Sequence, residues 1–348
     1  LSARLKRMGY RPGPKRRSYI PKPGKAKGRP LGISNFEDKI VEAAVKRTLE
    51  PIYETVFEDS SYGYRPGRSQ HQCLDALGRT IQQKRVNHVV EADIRGFFGA
   101  VNHEWTVKFL RHRIGDERVI RLIIRMLKSG IMEEGLVHAT EAGTPQGSIL
   151  SPLLSNIYLH EVDKAMKMAG HEMVRYADDF VILCQSRQEA AAALSRVTEL
   201  VEQRGLSLHA DKTSLVDTRQ DGQSFAFLGY HFEKGTRWPR KKSLKRFKDT
   251  IRCKTRRSNG HSMAKIIADV NGTTKGWFAY FKHSHWKTFK PLDGWIRRRL
   301  RTILRGYNKG RGISRGWDNR RWPNRYFQDL GYFSLYDAHQ ALLQSSRG

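Results

Sequence analysis

One stretch constrains the fold of this chain more than any other: an adjacent acidic pair between two runs rich in β-forming residues. The stretch covers residues 173–184, and the pair is Asp178 and Asp179. This pattern predicts a short β-hairpin with the carboxylates at its tip. Asp is common in turns because its side chain bonds nearby backbone groups, so an isolated Asp pair is ordinarily a turn and nothing more.

A second carboxylate, at the end of another apolar run, favours a functional interpretation. Residues 89–98 are typical of a strand that ends in an acid, Asp93. If the two strands are neighbours, Asp93 and Asp178 share one sheet edge, where like charges resist ionisation unless a cation neutralises them. Carboxylate oxygens suit Mg²⁺, and two such ions can activate an attacking 3′-hydroxyl and stabilise a leaving pyrophosphate. The sequence therefore predicts metal-assisted nucleotidyl transfer with two Mg²⁺ ions.

The charge of the chain indicates a polyanionic partner. Lys and Arg number 64 and Asp and Glu 34, which gives a formal net charge of +30. An excess this large attracts nucleic acid. No apolar run approaches the roughly 20 residues of a spanning helix, and no secretory signal is present, so no membrane partner and a cytoplasmic location are expected. Three widely spaced cysteines fit a reducing interior and argue against a Cys-rich zinc site.

The order of the predicted elements divides the chain into an α+β part and a helical part. Strand-like and helix-like patterns mix without repeats between residues 30 and 232, which predicts a sheet with helices on one face. One helix is predicted from Asn35 to Pro51, where the proline ends it. After Glu233 the chain becomes more basic, and from about Ser243 it is mostly helical.

Two further groups of side chains could contact a nucleotide. Lys22 and Arg29 flank a Gly-containing turn and could bind a triphosphate, Arg through its planar fork and Lys as a point charge. The alternative is a flexible, solvated N-terminal segment. Gln146 lies on a Gly-flanked loop before a helix, where a polar side chain could touch an incoming nucleotide.

Two sets of arginines could contact nucleic acid. Arg65 and Arg68 alternate with tyrosines, a mixture that suits a template strand through phosphate pairing and base stacking. Arg297, Arg301 and Arg305 form a stripe on one face of a predicted helix. Each arginine alone is ordinarily a solvated charge, but a stripe in so basic a chain favours a phosphate-tracking surface.

Several segments, in a fixed order, match one known family. In the first two thirds of the chain they are residues 29–33, 61–69, 93–98 with 101–103, 143–147 with 150–156, 175–180, 206–213 and 227–230. In the basic C-terminal part they are residues 276–281, 292–297 and 330–335. Through these segments the chain resembles the reverse transcriptase–maturase proteins encoded by bacterial group II introns.

The resemblance implies a right-hand polymerase followed by an α-helical domain. Residues 1–92 would form the N-terminal part of the fingers, and residues 93–235 the palm with the remaining fingers elements. Residues 236–348 would form the thumb and maturase domain with a basic C-terminal segment. This fold is of the α+β class, with an antiparallel sheet and helices in the fingers and palm.

The resemblance also implies roles for individual residues. Asp93 and Asp178 would bind two Mg²⁺ ions together with the backbone carbonyl of Ile94, and Asp179 would be a third carboxylate nearby. Lys22 and Arg29 would hold the triphosphate. Phe98 would lie under the sugar and exclude a 2′-hydroxyl, Gln146 would line the same pocket, and Lys212 would lie near the active site. The partners implied are an intron RNA template, a DNA or RNA primer and deoxynucleoside triphosphates; the oligomeric state is left open.

Departures from the family pattern leave alternative functions open. Gly99 stands where the family usually has Asp, and the N-terminal extension of full-length members is expected to be missing, which affects primer handling and RNA binding. One alternative is a maturase that binds intron RNA and assists splicing without polymerising. A second is a free-standing, domesticated reverse transcriptase. The three carboxylates, Lys22, Arg29 and Gln146 together favour a working polymerase site.

Overall fold

The chain forms two compact units in the computed structural model, residues 1–223 and 224–348. The structure describes residues 1–21, 28–139, 142–258 and 260–345. The division between the units comes before residue 235, where the sequence prediction ends the palm. The assignments to fingers, palm and thumb remain predictions.

The first unit mixes strands and helices throughout. Its helices are α1 (Ser2–Lys6), α2 (Phe36–Glu54), α3 (Gln70–Gln83), α4 (Phe97–Ala100), α5 (His103–Arg111), α6 (Glu117–Leu127), α7 (Ser151–Met168) and α8 (Arg187–Glu202). Its strands are β1 (Lys15–Ile20), β2 (Arg29–Ile33), β3 (His88–Asp93), β4 (Ile131–Glu133), β5 (Leu136–His138), β6 (Glu172–Tyr176), β7 (Asp179–Cys184) and β8 (Ser214–Asp217). A short 3₁₀ turn covers Ala210–Lys212. The predicted α+β class is confirmed.

The central sheet has the strand order β6-β7-β3-β8, and every neighbouring pair is antiparallel. Its middle strands consist almost entirely of buried apolar residues, such as Val89 and Val90 on β3 and Val181 and Ile182 on β7. Helices α7 and α8 pack against the sheet and share one hydrophobic core with it. Strands β3 and β7 each pair with a neighbour on both sides. This pairing fixes their register relative to each other, including that of the residues at their ends.

A second sheet has the order β2-β1-β4-β5. A buried ion pair anchors it to the helices, since Lys15 Nζ on β1 donates to Glu42 Oε1 on α2 at 2.7 Å. Glu42 also accepts from the Ser34 hydroxyl at 2.9 Å and from the backbone N–H of Ile149 at 2.8 Å. One buried carboxylate thereby connects this sheet to the loop that precedes α7.

Helix α2 continues past Pro51 to Glu54, so the prediction that the proline ends it is wrong. Proline removes one backbone hydrogen bond, and its ring crowds the carbonyl of the preceding turn, so its place inside α2 needs compensation. Tyr53, which is 2% exposed, anchors that turn in the core, and its hydroxyl donates to the backbone carbonyl of Leu110 at 3.3 Å. Tertiary packing outweighs the local effect of the proline.

The second unit is mostly helical. A three-stranded antiparallel sheet, β9 (Phe225–Phe227), β10 (Tyr230–Glu233) and β11 (Thr236–Pro239), begins it. The helices are α9 (Lys241–Lys254), α10 (Met263–Phe281), α11 (Phe289–Tyr307), α12 (Gly316–Arg321), α13 (Asn324–Asp329) and α14 (Leu335–Ser345), with a 3₁₀ turn at Trp286–Thr288. Asp293 on α11 is 1% exposed and accepts from the backbone N–H groups of Leu335 and Tyr336, which fixes the start of α14. Within the described ranges, no helix has both the length and the apolar character needed to cross a membrane.

Candidate active site

Three carboxylates meet at one end of the central sheet. Asp93, the last residue of β3, lies directly opposite Asp179, the first residue of β7. Asp178 lies in the two-residue turn that connects β6 to β7. The strand residues on either side of this turn, Tyr176 and Asp179, pair with each other. Directly opposed residues in antiparallel strands have Cα atoms about 4.5–5.5 Å apart. The structure therefore brings Asp93, Asp178 and Asp179 together, and the predicted hairpin is confirmed.

The turn that presents Asp178 has an unusual backbone. Ala177 adopts φ +59°, in the left-handed region. This conformation costs an L-residue about 1 kcal/mol or more, and it persists only where the surroundings enforce it. The Arg175 guanidinium supplies part of that enforcement, since its Nη1 donates to the Ala177 carbonyl at 2.8 Å.

Arg175 connects the turn to the buried core of the unit. The side chain is 1% exposed, and its Nε donates to Asp163 Oδ1 on α7 at 2.7 Å. Nη1 also donates to Asn156 Oδ1 at 3.1 Å, and the Asn156 amide donates in turn to the Gly63 carbonyl at 2.7 Å. A buried charge is stable only when it is paired and fully hydrogen-bonded, and these contacts meet that requirement.

Gly63 lies against the backbone of the same turn. A Cβ atom at this position would lie 2.3 Å from the Ala177 nitrogen, a distance that no real Cβ contact shows. Neighbouring backbone bonds fix the approach, because Tyr62 N–H donates to the Arg175 carbonyl at 2.9 Å and Arg175 N–H donates to the Ser60 carbonyl at 2.9 Å. The loop of residues 60–63 thus buttresses the turn that carries Asp178.

The carboxylates perturb one another's ionisation. Burial raises the pKa of Asp178, and the negative charge of Asp93 raises it further. Desolvation, followed by the charges of Asp178 and Asp93, raises the pKa of Asp179 to about 6. Lys212 supplies a counter-charge, and its ammonium forms an ion pair with Asp93 Oδ2. Like charges concentrated in this way are typical of a site that binds a cation.

The donor set fits a hard divalent ion. Within the described part of the chain, no three His, Cys, Asp or Glu side chains converge in the geometry of a complete metal site, and Asp93 is paired with Lys212. Mg²⁺ commonly takes only one or two carboxylates and completes its shell with water and substrate phosphates. Asp93, Asp178 and the carbonyl of Ile94 therefore remain the predicted ligands. The buried residue Ile94 is held by a bridge to Leu208.

Two predicted nucleotide-binding residues line one cavity. Phe98 and Gln146 border a space of about 250 Å³ together with Arg17, Pro30 and Thr144. The Gln146 carbonyl accepts from the Gly32 backbone N–H at 2.7 Å, which joins the loop of residues 143–147 to β2. Gly147 adopts φ +105°, and a Cβ atom there would lie 3.1 Å from the Gly32 carbonyl oxygen, so any side chain at this position would be strained.

The remaining nucleotide-binding candidates differ in position. Arg29, at the start of β2, is exposed, and its charge lowers the pKa of Asp178, so it lies near the acids. Lys212 is paired with Asp93, as described above. Lys22 lies outside the described residues.

Of the arginines predicted to bind nucleic acid, Arg65 and Arg301 are buried. Arg65 donates to Glu54 Oε2 at 2.9 Å and to the Ser61 carbonyl at 2.8 Å. Arg301 donates to the Trp322 carbonyl and to Asn324 Oδ1, each at 2.8 Å. Burial and satisfied donors favour a structural role for both, in contrast to the prediction.

The other three predicted arginines are more accessible. Arg68 pairs with Asp59 at 2.6 Å, Arg305 pairs with Asp318 at 3.1 Å, and Arg297 lies 5.9 Å from the centre of the Tyr332 ring. None of these contacts removes the arginine from solvent completely. Their binding of nucleic acid stays a prediction.

The sequence prediction assigned no role to the residues that hold the turn. Arg175 and Gly63 lie inside motifs that were identified, but their roles depend on contacts with α7 and with the loop before Tyr64. A signal for Arg175 was present, because a charged residue inside an apolar strand must be paired if it is buried. Nothing in the sequence pattern identified Asp163 as its partner.

Comparison of the sequence with known protein families identifies the class of protein. A family model described as reverse transcriptase (RNA-dependent DNA polymerase) matches residues 20–232, more than half of the chain. The chain therefore belongs to the reverse transcriptase family. A second model, described as the maturase-specific domain of group II introns, matches residues 244–325. Within the family the chain is of the intron-encoded reverse transcriptase–maturase kind, and the resemblance is confirmed.

Individual relatives support this assignment. The chain is 48% identical over 160 residues to the group II intron-encoded protein LtrA of Lactococcus lactis subsp. cremoris, which is 46% of this chain and 26% of LtrA. It is 34% identical over 259 residues to protein YkfC of Escherichia coli K12, covering 64% of this chain and 67% of YkfC. The aligned region thus spans about a quarter of LtrA and two thirds of YkfC.

Solved structures show the same fold at low identity. A structure of telomerase from Candida albicans with a TWJ fragment of telomeric RNA aligns with a TM-score of 0.53 and 11% identity, over 87% of this chain and 60% of that chain. Apo telomerase from Candida tropicalis aligns with a TM-score of 0.54 and 12% identity, over 84% and 61%. Similarity this remote establishes the fold alone.

Metal binding is expected to depend on pH near neutrality. A metal can bind only ionised carboxylates, and burial and the charge of Asp93 raise the pKa of the predicted ligand Asp178. The pKa of Asp179 beside it is raised to about 6. The folded protein therefore holds protons at this pair more tightly than the unfolded chain does, and protonation stabilises the metal-free fold below pH 6. That stabilisation is lost as the pH rises through 6, and Mg²⁺ gains access to the site.

Thermal unfolding at several Mg²⁺ concentrations measures this dependence. We expect Mg²⁺ to raise the Tm at pH 8 and to have much less effect at pH 5.5. Asp178→Asn should reduce the Mg²⁺ effect at pH 8, whereas Asp329→Asn, a change at an exposed carboxylate of the second unit, should preserve it. An equal Mg²⁺ effect at both pH values would contradict the expectation.

Proposed function

We propose that the protein is an RNA-directed DNA polymerase that extends a primer on an RNA template with two Mg²⁺ ions. The observation that carries this proposal is the pairing of Asp93 with Asp179 and the position of Asp178 on the adjoining turn. Membership of the reverse transcriptase family supports the choice of reaction.

The residues of the site suit this chemistry. Bound Mg²⁺ would activate the primer 3′-hydroxyl as a nucleophile and neutralise the departing pyrophosphate. Asp93 and Asp178, with the carbonyl of Ile94, would hold the ions, while Asp179 adds negative charge beside them. Arg29 and Lys212 offer cations to the triphosphate, and Lys22 is proposed for the same role.

Primer extension by the purified protein tests the proposal. The reaction contains an RNA template, an annealed DNA primer, Mg²⁺ and the four deoxynucleoside triphosphates. We expect extension to the end of the template, none in EDTA and none without primer annealing. Absence of extension by the folded, RNA-binding protein would refute the polymerase function.

Sugar selection by Phe98 provides a second prediction. The half-buried Phe98 ring packs edge-on against Phe97 at 5.5 Å between ring centres and borders the cavity with Gln146. We propose that it occupies the space a 2′-hydroxyl would need. Phe98→Val should therefore increase ribonucleotide use relative to deoxynucleotide use by roughly tenfold or more, the range that one steric contact provides.

The measurement is kcat/KM for one ribonucleotide and for its deoxy counterpart. Gly115→Ala serves as the control because its Cβ would meet no atom within 4 Å and because Gly115 is not among the residues that line the cavity. If Phe98→Val changes both values by the same factor, Phe98 does not select the sugar.

We further propose that the second unit binds intron RNA and assists splicing. The match of residues 244–325 to the maturase-specific domain supports this role. The expected setting is the bacterial cytoplasm, and the primer is DNA or RNA. Splicing of an intron transcript with and without the protein, at equal Mg²⁺, tests the role; an unchanged splicing rate would refute it.

A further inference from the structure

The second unit contains a cavity lined by arginines. It has a volume of about 880 Å³ and lies between α11 and the segment that carries α12 and α13. Its walls include Arg297, Arg298, Arg301 and Arg315, with Asn319 and Asn324 among the polar neighbours. No acidic residue is among the described residues that form the wall. The volume lies in the range of pockets that enclose a small ligand, about 300–1,000 Å³.

The arginines of this cavity differ in burial and in hydrogen bonding. Arg301 is 6% exposed, and its bonds to Trp322 and Asn324 fix one wall. Burial and the neighbouring charge of Arg297 lower the pKa of Arg301. Arg298 and Arg315 are exposed and form no ion pair within the described ranges. A phosphate group would neutralise part of the positive charge here and accept bonds from the planar forks of Arg298 and Arg315.

An exposed aromatic residue follows one of the wall residues in the sequence. Trp317 follows the wall residue Gly316 on α12 and is 77% exposed, while the Arg320 guanidinium lies 5.2 Å from the ring centre. Single exposed apolar side chains are common on protein surfaces, so what distinguishes Trp317 is its position next to a wall residue and the arginine against its ring. Beside a group of arginines, an indole is suited to stack on a nucleobase.

We propose that this cavity binds a single unpaired nucleotide of an RNA strand. The phosphate would pair with Arg298 and Arg315, and the base would stack on Trp317. A concave site of this size accepts one extruded nucleotide, whereas the convex backbone of a continuous duplex cannot enter it. The choice of RNA rests on the proposed RNA-binding function, since the maturase-specific match, residues 244–325, includes the whole wall.

Binding of two labelled RNA hairpins by the whole protein tests the proposal. The hairpins have the same stem, and one carries a single bulged nucleotide. By fluorescence anisotropy, we expect the wild type to bind the bulged RNA roughly tenfold more tightly, the order that one stacked base provides. Arg298→Ala combined with Arg315→Ala should abolish this preference, and Trp317→Ala should reduce it to about twofold or less.

A matched double variant separates specific from general electrostatic effects. Arg246→Ala with Arg256→Ala also removes two exposed positive charges of the same unit, at residues outside the cavity wall. This variant should bind both hairpins more weakly by the same factor and should keep the preference for the bulged RNA. Loss of phosphate contacts weakens binding whether or not the RNA carries a bulge. Circular dichroism melting of each variant confirms the fold.

The outcomes distinguish this proposal from the polymerase function. Equal binding of both hairpins by the wild type, or an unchanged preference in Arg298→Ala/Arg315→Ala, would overturn the nucleotide site. Asp178→Asn should keep the full preference while it loses primer extension. A wild-type protein that prefers the bulge but extends no primer would retain the cavity proposal and refute the polymerase.

Discussion

Replacement of Asp178 by Asn is expected to reduce primer extension by about a thousandfold or more, equivalent to roughly 4 kcal/mol in the barrier. The change removes one negative charge and keeps the shape of the side chain. Because Asp178 is placed on the turn beside Asp93, the loss weakens the binding of a divalent ion where charge must be neutralised. Single-turnover primer extension over a range of Mg²⁺ concentrations measures the effect.

The stability of the metal-free fold should not decrease in this variant, although its activity does. Burial and the charge of Asp93 raise the pKa of Asp178, so the ionised carboxylate destabilises the metal-free fold. Asp178→Asn should therefore leave the Tm without Mg²⁺ unchanged or higher at pH 8. Asp329→Asn is the control and should retain full extension. Extension by Asp178→Asn at the wild-type rate would exclude Asp178 from the reaction.

Replacement of Gly63 by Ala is expected to reduce primer extension by about a hundredfold, although Gly63 carries no reactive group. Its Cβ would lie 2.3 Å from the Ala177 nitrogen, so the turn or the loop must move. Displacement of a reacting group by about 1 Å commonly reduces the rate about a hundredfold. The reduction should be in kcat, because the nucleotide cavity at Phe98 and Gln146 is formed by other segments.

Gly115→Ala provides the matched control for this substitution. Gly115 lies in the same unit, a Cβ atom added there would meet no atom within 4 Å, and its φ is not positive. This variant should retain wild-type extension. Far-ultraviolet circular dichroism and RNA binding of Gly63→Ala should match the wild type, which separates displacement of the turn from unfolding. Normal kcat in Gly63→Ala would show that the loop does not position Asp178.

The sequence was sufficient to predict the parts of the site that depend on strand pattern. Two apolar runs with acids at their ends indicate two strands whose carboxylates share one sheet edge, whereas the register that sets Asp93 opposite Asp179 comes from the structure. Local pattern also predicts the helical character of the second unit, since amphipathic spacing along α11 is strong. These features need only neighbouring residues or the pairing of two strands.

Features that depend on packing between distant segments could not be predicted in the same way. Arg65 and Arg301 were interpreted as surface cations because their partners, Glu54 and the Trp322 carbonyl, become neighbours only after folding. Pro51 likewise remains inside α2 because Tyr53 is held by the core. In each instance a tertiary contact outweighs the preference of the isolated residue.

The ion pair between Lys212 and Asp93 makes folding of the site independent of metal binding. An ammonium group already offsets part of the negative charge at this sheet edge, so the polypeptide can reach its native arrangement in a medium poor in divalent ions. An ion that coordinates Asp93 Oδ2 must take the place of that ammonium. The lysine, more than half exposed, is then released on a flexible stem beside the acids, ready to meet an incoming polyanion.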